Sequence, residues 1–217
     1  HMIKAISGSE GSEKGSWSAK NWAKDHDILI IGAGPSTKKY IHEIIEYIER
    51  NNPIVLCLNI NEYIPNHLVT AYVACRSSRL LIDVGRYKKL KKPIILPLRN
   101  LPDELKELLS GIEILDYGIR IKDEAFEILD NGCILDTTLT INYAISVATA
   151  SHANQILLTG VDGYEEENDP RQLEMLSSVE RYKILGNSLP IFAITPTNYT
   201  VEEKSINIDS ELKILKA

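Results

Sequence analysis

The chain has 217 residues, enough for one sizeable domain with a hydrophobic core but short for two catalytic domains. Its 24 basic and 30 acidic residues give a net charge of -6, so no broad positive field favours nucleic acid or an anionic membrane surface. No apolar run approaches the roughly 20 residues of a membrane span. The cysteines Cys57, Cys75 and Cys133 lack metal-like spacing, which predicts buried free thiols in a cytoplasmic protein and no metal ligands among them.

The first segment of the chain has the composition of a linker. His1-Met2 resembles an expression-tag remnant, and residues 7–18 read SGSEGSEKGSWS. Because such a sequence buries little apolar surface, residues 1–24 are predicted to be a tag remnant and a flexible linker. A linker here favours a domain cut from a larger protein, and a native disordered leader is the alternative.

A strand, a glycine loop, a helix and a second strand follow. The apolar run DILII leads into Gly32, isoleucines recur at helical spacing through 37–50, and Pro53 precedes the run IVLCL. This order predicts a βαβ unit whose parallel strands are buried on both faces.

The rest of the chain continues the alternation. Further apolar runs lie at 71–75, 79–82, 93–96, 155–159 and 190–194, and helices are predicted over 101–109, 138–152 and 170–185. The stretch 111–135 stays open between short strands and loops. We therefore expect an α/β domain over 25–200, with a mostly parallel sheet and helices on both faces, and a charged tail over 201–217.

The loop GAGPST, residues 32–37, is the first candidate site. A strand that ends in glycine and leads into a helix presents backbone N–H groups and the positive end of the helix dipole, which favour a phosphate. The sequence is neither a complete dinucleotide fingerprint nor a P-loop, because Thr37 stands where the third glycine would be and no Gly-Lys pair is present. A tight turn without a ligand is the alternative.

Two further pairs of polar residues lie next to predicted elements. Asn59 and Asn61 follow the second strand, where they could hydrogen-bond a ribose or base, or serve only a turn. Thr137 and Thr138 precede a helix, where they could approach an anion or act only as caps.

An acid and a phenol, Asp162 and Tyr164, follow the strand predicted at 155–159. Functional residues often occupy this position in parallel sheets. The acidic run after them, Glu165–Asp169, could hold Mg²⁺, and a solvated loop is the commoner meaning. No histidine follows Asp162.

Four blocks, IIGAGPS, LNINEY, DTTLTINYAISVATASHANQILLTGVDGY and PIFAITPTNY, lie within residues 27–199. Together they resemble the Rossmann-type CMP-sialic-acid transferases of bacterial surface glycans and the motility-accessory-factor family. The pattern DGY, DPRQ and ITPT is still more similar to the C-terminal domain of HMGL-type (4-hydroxy-2-oxovalerate aldolase-like) proteins found among surface-polysaccharide genes.

The resemblance implies a three-layer Rossmann-like fold that binds a nucleotide or CMP-sugar. It implies that the nucleotide phosphate and ribose would be lined by Gly32, Gly34, Pro35 and Ser36, and from the loop itself Thr37 could donate to the same anion. It implies further that Asn59 and Asn61 would contact the nucleotide or donor sugar and that Thr137 and Thr138 would approach the sugar carboxylate or phosphate. Asp162 and Tyr164 would close the site, and Asp162 or Tyr164 would assist proton transfer if the domain is catalytic. The transferases need a histidine base beyond the strand that leads to the aspartate, and since this chain lacks one there, binding is favoured over catalysis.

Three functions stay open at this point. The first is nucleotide or CMP-sugar binding in polysaccharide biosynthesis, with glycosyltransferase-like or hydrolase chemistry if the domain is catalytic. The second is a non-catalytic regulatory or assembly domain that partners an N-terminal aldolase domain in the parent chain. The third is a Mg²⁺-dependent pyrophosphokinase, because archaeal pterin kinases look similar around the Gly-Pro-Ser loop. A homo-oligomer is compatible with each.

Overall fold

An eight-stranded parallel sheet forms the centre of the computed structural model, which describes residues 12–164 and 169–206. The strands are β1 (Ile28–Ile31), β2 (Ile54–Leu58), β3 (Ala71–Val73), β4 (Ile94–Leu96), β5 (Ile114–Asp116), β6 (Gly118–Ile121), β7 (Phe126–Leu129), β8 (Gly132–Leu135), β9 (Ile156–Thr159), β10 (Ile191–Ala193) and β11 (Glu202–Glu203). The helices are α1 (Pro35–Lys39), α2 (Ile41–Asn51), α3 (Ser77–Leu90), α4 (Asp103–Leu108), α5 (Thr140–Ala150) and α6 (Pro170–Lys183), with short 3-10 turns at Asn66–Leu68 and Leu98–Asn100.

The strand order places a topological switch at β1. The strand order of the large sheet is β11-β10-β9-β1-β2-β3-β4-β5. Strands β2 to β5 therefore follow one another on one side of β1, and the later strands β9 to β11 follow one another on its other side. Ile28 of β1 pairs with Ile54 of β2 and with Ile156 of β9, all in parallel register. Open parallel sheets bind ligands beside such a switch, at the carboxyl ends of the strands.

Side chains alternate between two apolar layers, one on each face of the sheet. Leu29 and Ile31 belong to the layer that includes α2, α3 and α4, whereas Ile28 and Ile30 belong to the layer that includes α5 and α6. Because both faces are covered by helices, the central strands β1 to β4 are apolar along their whole length. The predicted three-layer Rossmann-like α/β fold is therefore confirmed.

Helix α5 lies in the interior, where its small residues allow close packing. All of its residues from Ile141 to Ala150 are buried, and its hydroxyls donate to carbonyls four residues earlier, as Ser146 does to Asn142 O at 2.9 Å. A second sheet, with strand order β6-β8-β7, packs against it. This sheet and β5 occupy the stretch 111–135, for which the sequence left strands and loops open.

Two predicted elements differ from the structure. The apolar run at 79–82 is part of α3, where Leu80 is buried but Leu81 and Ile82 are exposed. The helix predicted over 37–50 is two helices, since α1 begins at Pro35 and the backbone changes direction at Tyr40 (φ −108°, ψ 25°). Local apolar composition does not distinguish a strand from a helix that is buried on one side.

Residues 12–24 are packed against the domain, so the flexible-linker prediction is wrong for this part of the chain. Gly15 N donates to Asn131 O at 2.8 Å, and the rings of Trp17 and Trp22 meet edge to face at 5.5 Å. Ala19 and nearby Ala23 are fully buried. These four apolar side chains supply the buried surface that the Gly/Ser-rich composition does not predict. Residues 1–11 lie outside the described part.

The beginning of the predicted tail also belongs to the domain. Glu202–Glu203 pairs with β10 as the last strand of the large sheet, and Val201 is buried. Residues 207–217 lie outside the described part. Among the described residues, the helices are too short or too polar to cross a membrane.

Replacing Gly132 with alanine is expected to lower the free energy of unfolding by about 1–3 kcal/mol, because overpacking forces the backbone to move. The added Cβ would lie 1.7 Å from Glu13 O, in the packed N-terminal segment. Urea denaturation followed by circular dichroism measures the change.

The matched control is Gly85→Ala in the middle of α3, where an added Cβ meets nothing within 4 Å. Here alanine should raise the free energy of unfolding by about 0.5–1 kcal/mol, because glycine loses more backbone entropy on folding. Unchanged stability of Gly132→Ala would contradict the packing of residues 12–24 against β8.

Candidate functional site

A cleft of about 730 Å³ opens at the carboxyl edge of the large sheet, beside the switch between β1 and β9. The loops after β1, β2 and β9 border it, together with the starts of α3 and α5 and the first turn of α6. Of the residues predicted from the sequence, those that line the cleft are Gly32, Gly34, Pro35, Asn59, Asp162 and Tyr164. The topology therefore brings together the polar groups that follow three separate strands.

The glycines of the β1 loop are required by a neighbouring loop. A Cβ on Gly32 would lie 2.3 Å from Gly160 O, and one on Gly34 would lie 2.7 Å from the same atom. Gly160 itself has a φ of +65°, and its Cβ would be 1.9 Å from the hydroxyl of Thr37. The close approach of the β1 and β9 loops thus explains these glycines without a ligand.

Four amides of the β1 loop, those of Gly32, Gly34, Ser36 and Thr37, are hydrogen-bonded within the protein. Gly32 N donates to Thr159 O and Gly34 N to Gly160 O, both at 2.8 Å. Thr37 N donates to Gly34 O at 3.0 Å, and helix α1 has only five residues. Because these donors are used internally, the loop offers a phosphate fewer amide groups than its sequence predicts.

Asp162 accepts two hydrogen bonds from Ser36 in what we call the Asp162 cluster, formed by Asp162, Ser36 and Thr195. Its Oδ2 accepts from Ser36 N at 2.7 Å, and its Oδ1 accepts from Ser36 Oγ. Ser36 Oγ lies 3.1 Å from Thr195 Oγ1, which also accepts from Gly160 N at 3.2 Å. The cluster joins the ends of β1, β9 and β10, so Asp162 is a structural carboxylate at the position predicted to be catalytic.

The two asparagines after β2 have different positions. Asn61 is buried: its Nδ2 donates to Gly32 O at 2.9 Å, and its Oδ1 accepts from Tyr63 N at 2.9 Å. Asn59 lines the cleft and has a φ of 55°, a left-handed conformation that asparagine tolerates better than most residues. Asn59 is thus available to a ligand, whereas Asn61 supports the β1 loop.

The two threonines before α5 hold the start of that helix and do not line the cleft. Thr137 Oγ1 accepts from Leu139 N at 3.3 Å. The carbonyl of Thr138 accepts from the side chains of Cys75 and Arg76. The helix begins at Thr140, which does line the cleft. The threonine at the cleft is therefore two positions after Thr138, the nearer of the two residues predicted from the sequence.

Three arginines that were not among the site residues predicted from the sequence line the cleft: Arg76, Arg79 and Arg171. Two of them have carboxylate partners, since Arg79 Nε lies 2.7 Å from Asp83 and Arg171 lies 2.6 Å from Asp169. The signal that could have found Arg76 was its place directly after the strand predicted at 71–75.

Arg76 lies where the starts of two helices meet, a region we call the Arg76 corner and define by Arg76, Ser78 and Thr140. Arg76 Nε donates to the carbonyl of Thr138 at 3.1 Å, which holds the guanidinium between the first turns of α3 and α5. Neither helix has a side-chain N-cap hydrogen bond. A cation between two helix N-termini makes this corner suitable for an anionic group.

The opposite side of the cleft has aromatic residues. The guanidinium carbon of Arg171 lies 4.0 Å from the centre of the Tyr164 ring, and Tyr199 also lines the cleft. Burial, with a smaller effect of nearby Tyr164, raises the pKa of Tyr199 to about 12. Tyr199 is therefore a hydrogen-bond donor and not a base near neutral pH, and the stacked pair offers a flat surface for a planar ligand group.

Within the described ranges, no group of three or more His, Cys, Asp or Glu side chains could hold a metal ion. Residues 165–168 of the acidic run that could hold Mg²⁺ lie outside these ranges. The last residue of the run, Asp169, is the N-cap of α6, and its side chain accepts a hydrogen bond from Arg171 N.

Comparison of this chain with protein-family models, curated proteins and solved structures finds no match. The resemblance to CMP-sialic-acid transferases and HMGL-type C-terminal domains therefore stays a prediction.

Replacing Tyr199 with phenylalanine is expected to reduce the loss of stability at alkaline pH. The pKa of Tyr199 is about 12 in the folded chain and has an ordinary value of 10.0, so the stability linked to its protonated form is present below pH 10.0 and is lost as the pH rises towards 12. Urea denaturation of both chains across this range measures the difference. Parallel pH curves for the two chains would contradict the raised pKa.

Proposed function

We propose that this chain binds a nucleotide in the cleft at the carboxyl edge of the sheet. The observation that carries the proposal is Arg76, held between the starts of α3 and α5 in a cleft at the topological switch. The volume of about 730 Å³ is within the range of small-molecule sites. The sequence resemblance favours CMP or a CMP-sugar, and with it a role in surface-glycan biosynthesis.

The distribution of charge supports an anionic ligand. The chain has a net charge of -6, yet three arginines line this one cleft. Because Arg79 and Arg171 are each paired with a carboxylate, we assign the phosphate to the Arg76 corner. An arginine hydrogen-bonded to phosphate gives a charge-assisted contact that is stronger than a neutral one.

The opposite side of the cleft suits the base and the ribose. A pyrimidine can stack on the surface formed by Tyr164 and Arg171, while Tyr199 is protonated and can donate a hydrogen bond. Asn59 lines the cleft at the end of β2, where an amide can bind ribose hydroxyls. One nucleotide thus has a partner for each of its three parts.

The same residues support binding more than catalysis. Among the described residues that line the cleft, Asp162 is the carboxylate nearest the β1 loop, and both of its oxygens accept hydrogen bonds from Ser36. Tyr199 keeps its proton near neutral pH. A general base needs a pKa near the working pH, so Tyr199 does not fit that role, and Asp162 already holds Ser36 through both of its oxygens.

Replacing Arg76 with glutamine is expected to weaken CMP binding by about 10- to 100-fold, the loss typical of one charged hydrogen bond. Calorimetric titration with CMP measures the change. Titration with cytidine, which lacks the phosphate, should show little difference between the two chains, because the variant alters only the corner assigned to the phosphate.

Arg120→Gln is the matched control. Arg120 pairs with Glu13 and does not line the cleft, so CMP affinity should be unchanged. Absence of CMP binding to the unaltered chain would overturn the proposed function. An equal loss for CMP and cytidine in Arg76→Gln would overturn the placement of the phosphate.

A further inference from the structure

Building on the proposed nucleotide site, we infer that Asp162 is a specificity-determining residue that restricts the cleft to nucleotides with a single phosphate. Its carboxylate occupies the anion position of the β1 loop, where a second phosphate would otherwise bind. The preferred ligand is therefore a nucleoside monophosphate or its phosphodiester, and nucleoside di- and triphosphates bind more weakly.

The first step of the argument is the place that Asp162 takes. In open parallel sheets with this topology, phosphates bind on the loop that follows the first strand. In this chain Asp162 accepts from both the amide and the hydroxyl of Ser36, the groups that such a phosphate would use. A phosphate arriving at this loop would meet a negative charge and donors already in use.

The second step is that the carboxylate is held firmly in this position. A Cβ on Gly34 would lie 2.8 Å from Asp162 Cγ, so the carboxylate packs directly on the loop. The backbone of Asp162 accepts from Asn198 N at 2.8 Å, and Val161 O accepts from Thr197 Oγ1 at 2.6 Å. Moving Asp162 aside would break these contacts as well as those to Ser36.

The third step is that the rest of the cleft offers little compensation for a second phosphate. Arg79 and Arg171 are partly neutralised by Asp83 and Asp169, at 2.7 Å and 2.6 Å. The Arg76 corner is assigned one phosphate, and a second phosphate that bound at the β1 loop would meet the carboxylate of Asp162. Repulsion between like charges in a partly solvated site is strong enough to change affinity by about tenfold.

The test is a set of calorimetric titrations with CMP, CDP and CTP, without metal ions, on the unaltered chain and on Asp162→Asn. The unaltered chain should bind CMP about tenfold more tightly than CDP or CTP. Asparagine has nearly the same shape and can still hydrogen-bond to Ser36, so the variant removes only the charge. The ratio of the dissociation constant for CDP to that for CMP, here called the CDP-to-CMP ratio, should therefore fall by about tenfold in the variant.

Asp130→Asn is the matched control for net charge. Asp130 pairs with exposed Lys20 and does not line the cleft, so its CDP-to-CMP ratio should equal that of the unaltered chain. Circular dichroism shows whether Asp162→Asn folds. If it does not, the ratio in the unaltered chain decides the question, because a preference for CDP or CTP would overturn the inference.

The outcomes separate the two proposals. If CMP does not bind to the unaltered chain, the proposed function is overturned, and the inference with it. If CMP binds but the CDP-to-CMP ratio is the same in folded Asp162→Asn, or the same change appears in Asp130→Asn, the inference alone is overturned and the nucleotide site stands.

Discussion

The contact between the loops after β1 and β9 determines the form of the cleft. Carbonyl, amide and carboxylate groups of the two loops meet at hydrogen-bonding distance, as in Gly34 N to Gly160 O at 2.8 Å and Ser36 N to Asp162 at 2.7 Å. Side chains at Gly32 and Gly34 would separate the loops, because their Cβ atoms would overlap Gly160 O. The chain thus uses its glycine loop to pack against another loop, and the positive charge that lines the cleft comes from other residues.

Because of this packing, the positive charge at the cleft comes mainly from side chains and less from the backbone amides of the β1 loop. With Asp162 bonded to the start of α1, the positive end of that short helix is neutralised within the protein. The positive groups facing the cleft are then the arginines and the starts of α3 and α5, and Arg76 is held between these two helices by Thr138 O. An anionic ligand is consequently expected nearer to β3 than to β1.

The N-terminal segment shows the same use of glycine on the other side of the molecule. A Cβ at Gly118 would lie 2.6 Å from Glu13 and one at Gly132 would lie 1.7 Å from it, so both small residues make room for the backbone of this segment. Trp17 and Trp22 then pack on the core around α5 and the small sheet. Beside the cleft and beneath this segment, the glycines are explained by the close approach of two backbone segments.

The sequence by itself determined the fold class and most elements, because apolar runs that alternate with amphipathic helices admit few arrangements other than a parallel α/β sheet. It also identified the edge of the sheet at which the cleft lies, since polar residues such as Asn59 and Asp162 closely follow strands whose carboxyl ends lie at the same edge of a parallel sheet. Only the tertiary structure decided which groups face a ligand. Ser36 and Asp162 are far apart in the chain, and their hydrogen bond turns a predicted phosphate loop into an internal contact. Arg76 directly precedes α3 in the sequence, but only the fold brings the distant start of α5 beside it, because local sequence records neither strand order nor the distance between loops.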